Sequence, residues 1–136
     1  MLVLDASMTI AWLFDAEQTK AAHAVMRRVV AEGAIVPSLW RLEIANVLRN
    51  AVRRGRCNEA YVDRSLARLA RLAIERDEET DDHAWESTRT LARKENLSLY
   101  DAAYLELAIR RGMSLASCDK ALLAAAVRRK VEVFAA

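Results

Sequence analysis

The most constraining feature of the sequence is its beginning, where an apolar run over residues 1–4 stops abruptly at Asp5. A short, continuous apolar run is typical of a strand buried on both faces, as in a parallel sheet covered by helices. Asp5 then lies at the carboxyl end of that strand, where open parallel sheets bind ligands. An Asp after a strand also often caps the next helix. Asp5 alone therefore does not define a site.

Short apolar segments alternate with amphipathic segments along the rest of the chain, which predicts an α/β domain with a central, mostly parallel sheet of short strands flanked by helices. With 136 residues, 54% of them hydrophobic, and only three Gly and one Pro, we expect a single domain over residues 1–136. Further strands are predicted at 34–36, 74–76, 113–117 and 131–134. Helices are predicted from Ser7 as cap to Phe14, at 18–32, from Ser38 as cap to Gly55, at 59–73 after the cap Asn58, at 82–95, after Ser98, and at 120–129.

Four acidic residues occupy comparable places in this pattern. Asp5 and Asp119 follow buried strands, Glu43 lies in the helix after the second strand, and Asp101 lies in the first turn of a helix with almost no polar face. Each has a simpler reading, since Glu43 suits a helix surface and Asp101 suits a capping box with Ser98. If the strands are parallel, however, all four carboxylates point to one end of the sheet.

Clustered carboxylates repel one another and remain ionised only if a cation compensates them. Oxygen ligands alone select a hard cation, Mg²⁺ or Mn²⁺. Such a site activates water and neutralises charge at phosphorus, which is nuclease chemistry. We expect Ser7 and Ser117, two residues from Asp5 and Asp119, to orient ligands or water.

Other residue types argue against alternative sites. Cys57 and Cys118 show no CxxC or Cys/His zinc spacing, and His23 and His83 have no ligand partner nearby in sequence, so zinc is not expected. Cys118 is interpreted as a small packing residue rather than a nucleophile. No signal peptide or membrane-length apolar run is visible, and we expect a cytoplasmic protein that does not enter a membrane.

The net charge of +2 is too small to indicate nucleic-acid binding by itself, but the charge is unevenly distributed. Residues 41–71 contain eight Arg against three acids, and residues 75–86 contain seven acids against one Arg. The basic stretch suits a polyanion or an acidic protein, and equally a solvated helix surface.

Four segments together resemble the signature blocks of PIN-domain ribonucleases, and specifically the VapC toxins of type II toxin-antitoxin pairs. The segments are residues 4–7 (Leu-Asp-Ala-Ser), 37–48 (Pro-Ser-Leu-Trp-Arg-Leu-Glu-Ile-Ala-Asn-Val-Leu), 99–108 (Leu-Tyr-Asp-Ala-Ala-Tyr-Leu-Glu-Leu-Ala) and 115–122 (Leu-Ala-Ser-Cys-Asp-Lys-Ala-Leu). The resemblance spans nearly the whole chain and implies a single PIN-like domain.

The resemblance implies a Mg²⁺- or Mn²⁺-dependent endoribonuclease that acts as a toxin. Its catalytic and metal-binding acids fall on Asp5, Glu43, Asp101 and Asp119. It also implies that Asn46 supports Glu43 and that Ser117 supports Asp119; Thr is commoner at the position of Ser117, but the hydroxyl is kept.

The resemblance further implies an RNA substrate, a homodimer, and a cognate antitoxin whose tail enters the acidic cleft. The two amphipathic helices predicted within residues 38–73 are the expected docking wall for that antitoxin.

Two other functions compete with this interpretation. One is a catalytically silent PIN-fold binding module, against which the retention of all four acids argues. The other is a receiver- or phosphatase-type phosphotransfer domain, which needs a helper Lys or an Asp-x-Asp first block. Here the first block is Asp5-Ala6-Ser7, and Lys120 directly after Asp119 is a poor substitute for the helper Lys.

Overall fold

The structure is a computed structural model that describes residues 1–14 and 17–136. Its sheet has five parallel strands in the order β3-β2-β1-β4-β5. The strands are β1 (Leu2–Leu4), β2 (Ala34–Val36), β3 (Ile74–Arg76), β4 (Leu115–Ser117) and β5 (Val133–Ala135). This confirms the predicted α/β architecture with a parallel sheet. The apolar run at the start of the chain forms the central strand, and β5 lies at an edge as expected.

Helices cover the sheet, with α7 packed against both β1 and β4. They are α1 (Ala6–Leu13), α2 (Lys20–Glu32), α3 (Trp40–Arg53), α4 (Glu59–Ala70), α5 (Thr80–His83), α6 (Arg89–Glu95), α7 (Leu99–Arg111) and α8 (Lys120–Arg128), and a π-helical segment, Ala84–Thr88, joins α5 to α6. In the part of the chain that the structure describes, no helix is both long enough and apolar enough to cross a membrane.

The core lies on both faces of the central strands. All residues of β1, β2 and β4 are buried, and so are residues 102–108 of α7. The almost wholly apolar surface of α7 predicts a helix inside the fold, which is correct for residues 102–108 but not for the helix ends, where Leu99, Tyr100 and Ile109 are exposed. The amphipathic helix α4 is less buried than its pattern predicts, because Leu69 is buried but Leu66 is 39% exposed. The side of α4 that carries Leu66 faces a groove rather than the core.

Two of the predicted caps are confirmed and two are wrong. Asn58 and Ser98 accept the backbone N–H groups of the third residues beyond them, as predicted. Ser7 lies inside α1, which begins directly after Asp5, and its hydroxyl binds the Asp5 carboxylate instead. Ser38 lies before the start of α3, and its N–H donates to the Thr80 hydroxyl (3.1 Å). Neither serine therefore caps its helix.

Regular helical periodicity over residues 82–95 places Trp85, Thr88 and Leu91 on the inward face, but this prediction is wrong for Trp85, whose side chain is 85% exposed. The π-helical segment 84–88 adds a residue to one turn and changes the register of the faces along the helix. Thr88 and Leu91 are buried as predicted, while Trp85 is rotated to solvent.

Within the acidic stretch of residues 75–86, the charge of Asp77 is compensated by a cation inside the fold. The buried Asp77 carboxylate accepts two hydrogen bonds from the Arg110 guanidinium (2.6 and 3.2 Å) and one from the Thr80 hydroxyl (2.9 Å). Burial works to raise the pKa of Asp77, but these donors outweigh it and lower the pKa. Arg110 also binds Glu106 (2.7 Å), so this ionic network ties the end of β3 and α5 to α7.

Candidate active site

The four predicted acids line one open cavity of about 550 Å³ at the carboxyl end of the central strands. Asp5 directly follows β1, Asp119 lies two residues beyond the end of β4, Asp101 lies in the first turn of α7 and Glu43 lies in the first turn of α3. Parallel strands bring the first two together, and the packing of α7 on β1 and β4 brings in the third. Other lining residues include Ser7, Ile10, Ala11, Glu17, Thr19, Val47 and Cys118.

Asp5 is the most buried of the four acids, with 4% of its surface exposed. The hydroxyls of Ser7 and Ser117 both donate to its Oδ2 atom, at 2.5 and 2.7 Å. Ser117 Oγ also accepts the N–H of Asp119 (2.9 Å), and Ser7 Oγ accepts the N–H of Cys118 (2.9 Å). Ser117 therefore binds the carboxylate of Asp5 and the backbone of Asp119, and the two serines tie β1 to the segment after β4.

Glu43 is held by Tyr104, a residue that the sequence pattern did not single out. The fully buried Tyr104 donates its hydroxyl to Glu43 Oε1 at 2.5 Å, which links α7 to α3. Burial and the Glu43 carboxylate raise the pKa of Tyr104, so the hydroxyl keeps the proton that it donates. Asn46 is exposed, and no hydrogen bond joins it to Glu43 among the described residues. A buried Tyr in an apolar helix needs a polar partner for its hydroxyl, and this requirement is the sequence signal that points to Tyr104.

Asp101 and Asp119 combine a helix terminus with a place in the cavity. The Asp101 N–H donates to Ser98 Oγ, so the predicted cap is present, while the Asp101 side chain lines the cavity. Asp119 caps α8, because its Oδ1 accepts the N–H of Leu122 at 2.9 Å. Each of these two residues therefore takes part in a helix terminus and also lines the cavity.

The cavity is electrostatically unfavourable for its own carboxylates. Burial raises the pKa of Asp5, and the nearby Asp119 adds to the rise. The pKa of Glu43 is raised to about 7 by burial and by the charges of Asp5 and Asp101, against the hydrogen bond from Tyr104. Burial, Asp119 and Asp5 raise the pKa of Asp101. Among the described residues, no Lys, Arg or His lines the cavity to offset these charges.

This donor set fits a hard divalent cation. All four acids offer oxygen only, and their repulsion leaves a demand for positive charge. Across residues 1–14 and 17–136, no three acidic, His or Cys side chains already converge as a complete metal cage. Mg²⁺ commonly keeps several waters and takes only one or two carboxylates directly, so an open site of this kind suits it.

Cys118 and Lys120 argue against a cysteine nucleophile and against a phosphotransfer site, and Glu17 adds a carboxylate to the cavity. Burial and the charge of Asp5 raise the pKa of Cys118, which keeps the thiol protonated and a poor nucleophile. Lys120 is exposed and does not line the cavity, as a phosphotransfer helper would have to. Glu17 lines the cavity although no strand end or helix stripe marked it in the sequence.

Comparisons with known proteins agree with this geometry. Residues 2–128 match the PIN domain family. The VapC ribonuclease Mb0985 of Mycobacterium bovis and ribonuclease VapC9 of Mycobacterium tuberculosis are each 33% identical to the chain over 121 residues, which cover 88% of this chain and 86% of theirs.

Two solved structures share the fold. PAE2754 from Pyrobaculum aerophilum has a TM-score of 0.68 at 24% identity and covers 91% of this chain and 83% of its own. FitAcB from Neisseria gonorrhoeae has a TM-score of 0.67 at 17% identity, with 98% and 96% covered. At these identities the likeness concerns the fold.

Proposed function

The chain belongs to the PIN-domain family, in which it is similar to VapC ribonucleases, and on that premise we propose that it is a metal-dependent endoribonuclease acting as the toxin of a toxin-antitoxin pair. The observation that carries the proposal is the cavity shared by Asp5, Glu43, Asp101 and Asp119, which holds clustered carboxylates with no cationic side chain among the described residues. Mg²⁺ or Mn²⁺ is the proposed cofactor, and RNA is the proposed substrate.

In this mechanism the four acids would hold the cation, and the hydrogen-bond partners described above hold two of the acids in place. A bound divalent ion supplies Lewis acidity at the phosphodiester and lowers the pKa of water. Ser7 and Ser117 fix one oxygen of Asp5, and Tyr104 fixes one oxygen of Glu43. These hydrogen bonds preset the acids, and no Ser or His nucleophile is needed because water is the nucleophile in hydrolysis.

The proposal predicts RNA cleavage that requires both metal and the acidic site. The purified chain, free of any partner, is incubated with total RNA in Mg²⁺, in Mn²⁺ and in EDTA, beside Asp101→Asn. We expect discrete fragments with metal only, and none with the variant, because Asn keeps the shape of Asp101 but not its charge. The fragment ends, mapped by sequencing, identify the target RNA.

The same preparation separates the catalytically silent binding module from the nuclease. Mn²⁺ bound to the folded state raises the melting temperature by mass action. A folded chain that leaves RNA intact and shows the same melting temperature with and without Mn²⁺ would contradict the nuclease proposal.

An antitoxin is the proposed protein partner, and the groove between α3 and α4 is its proposed docking site. The groove has a volume of about 440 Å³ and an apolar wall that includes Trp40, Ile44 and Leu69. Leu66 lines it while 39% exposed, which leaves apolar surface available to a partner. The proposed assembly contains a homodimer of this chain.

Leu66→Asp should weaken antitoxin binding by about tenfold or more, because it places a charge in an apolar interface. Val127→Asp, on the exposed side of α8, is the matched control. Isothermal titration with the co-encoded protein gives the affinity, and light scattering of the complex gives the number of copies of each chain. Equal affinity for wild type and Leu66→Asp would remove the groove from the interface.

A further inference from the structure

A second pocket of about 350 Å³ lies where the end of α1 meets the beginning of α4. We call it the arginine pocket. It is lined by Phe14, Arg56, Cys57, Asn58, Tyr61 and Arg64. Two guanidinium groups and two aromatic rings therefore share one small surface, a combination typical of nucleic-acid contacts.

The two arginines are placed by the rings beneath them. The guanidinium carbon of Arg56 lies 4.4 Å from the centroid of the Phe14 ring, and that of Arg64 lies 5.9 Å from the centroid of Tyr61. Phe14 and Tyr61 pack together with centroids 6.0 Å apart. The Tyr61 hydroxyl donates to the backbone oxygen of Leu13, which ties α4 to the end of α1. The cations are thus preset by cation–π contacts rather than free on the surface.

Glu17 connects the arginine pocket to the active-site cavity. Its side chain lines the cavity that holds the four acids. Its Oε2 atom also lies 3.6 Å from an Arg56 guanidinium nitrogen. Arg56 therefore stands at the border of the catalytic cavity, with 45% of its side chain still exposed to a ligand.

We propose that the arginine pocket binds the single-stranded RNA substrate on one side of the bond to be cleaved. This inference rests on the proposed ribonuclease function and assigns the binding of a neighbouring nucleotide to residues outside the acidic site. Arg56 and Arg64 contact phosphate oxygens by charge-assisted hydrogen bonds, and their open guanidinium faces stack on a base. The catalytic cavity itself repels a polyanion, so RNA needs a cationic contact beside it.

RNA rather than an acidic protein is favoured by the placement of the pocket. It adjoins the cavity proposed to hold the phosphodiester, and the Arg56 guanidinium lies over the Phe14 ring, with its guanidinium carbon 4.4 Å from the ring centroid, which leaves the side away from the ring for a base. An acidic peptide offers carboxylates but no planar bases to occupy that side.

The test measures RNA binding without cleavage. A fluorescein-labelled, single-stranded RNA oligonucleotide of mixed sequence is titrated with the full chain in EDTA, and the anisotropy is followed at several salt concentrations. The variant carries both Arg56→Ala and Arg64→Ala. The control is Arg27→Ala, because Arg27 is an exposed residue of α2 outside the pocket. We expect the double variant to bind about tenfold more weakly and its salt slope to fall by about 0.7 for each Arg removed.

Two results would overturn the assignment of the arginine pocket to RNA. An unchanged affinity and salt slope in the double variant would overturn it, while cleavage by the wild-type chain would leave the proposed function intact. Equal losses of affinity for the RNA and for a poly-glutamate peptide would reduce the pocket to a general anion site and overturn the assignment to RNA.

Discussion

Asp5→Asn should abolish RNA cleavage, by about a thousandfold or more, and yet raise the melting temperature of the metal-free protein. Asp5 is the most buried acid of the cavity, and burial together with Asp119 raises its pKa. The ionised carboxylate is therefore disfavoured by the fold that holds it. Asn keeps the shape and one oxygen for the Ser7 and Ser117 hydroxyls, but it supplies no anion to a cation.

The stabilisation should depend on pH in a defined direction. Because the folded pKa of Asp5 is raised, its ionised form destabilises the fold above that pKa, and this effect vanishes as the pH falls to the unfolded value near 3.8. The gain in melting temperature from Asp5→Asn should therefore be largest at neutral pH and shrink as the solution is acidified. Thermal scans in EDTA across this range measure it.

Asp82→Asn is the control for this variant, since Asp82 is exposed on α5 and lies outside the cavity. It should leave both cleavage and melting temperature close to wild type. A lower melting temperature for Asp5→Asn than for wild type in EDTA at neutral pH would contradict the interpretation of the cavity as a repulsive cluster.

The parts of the fold that depend on local chemistry could be predicted from the sequence. The apolar run before Asp5 has no alternation, which is typical of a strand buried on both faces, and it forms the central strand. Asn58 and Ser98 cap their helices through bonds that span three residues. The meeting of Asp5 with Asp119 follows from one rule, that parallel strands end at the same edge of the sheet.

The contacts that the sequence did not reveal join residues far apart in the chain. Tyr104 binds Glu43 and Ser117 binds Asp5 only because separate elements pack together, and no spacing within α7 or β4 encodes either partner. Ser38 likewise has a partner far away in the chain, since its N–H donates to the Thr80 hydroxyl. The wrong prediction for Trp85 has a different cause. The periodicity that places Trp85 inward assumes a regular α-helix, whereas the chain forms a π-helical turn there.

Glu43 should make metal binding strongly dependent on pH near neutrality. Its pKa is raised to about 7 by burial and by the charges of Asp5 and Asp101, so below that pH it carries a proton that a cation must displace. Mn²⁺ affinity should therefore fall about tenfold for each pH unit below about 7 if one proton is released. Isothermal titration with Mn²⁺ between about pH 5.5 and 8.5 measures both the affinity and, in buffers of different ionisation enthalpy, the proton.

Tyr104→Phe should move this transition to higher pH. The Tyr104 hydroxyl donates to Glu43 and thereby lowers the pKa of that carboxyl, so its removal leaves only the influences that raise the pKa. Phe keeps the buried ring, and the fold should be retained. Glu43→Gln is the matched control, because it removes the titrating group and should erase the step near neutrality. An unchanged midpoint in Tyr104→Phe, with the step lost in Glu43→Gln, would show that Tyr104 packs against Glu43 without tuning it.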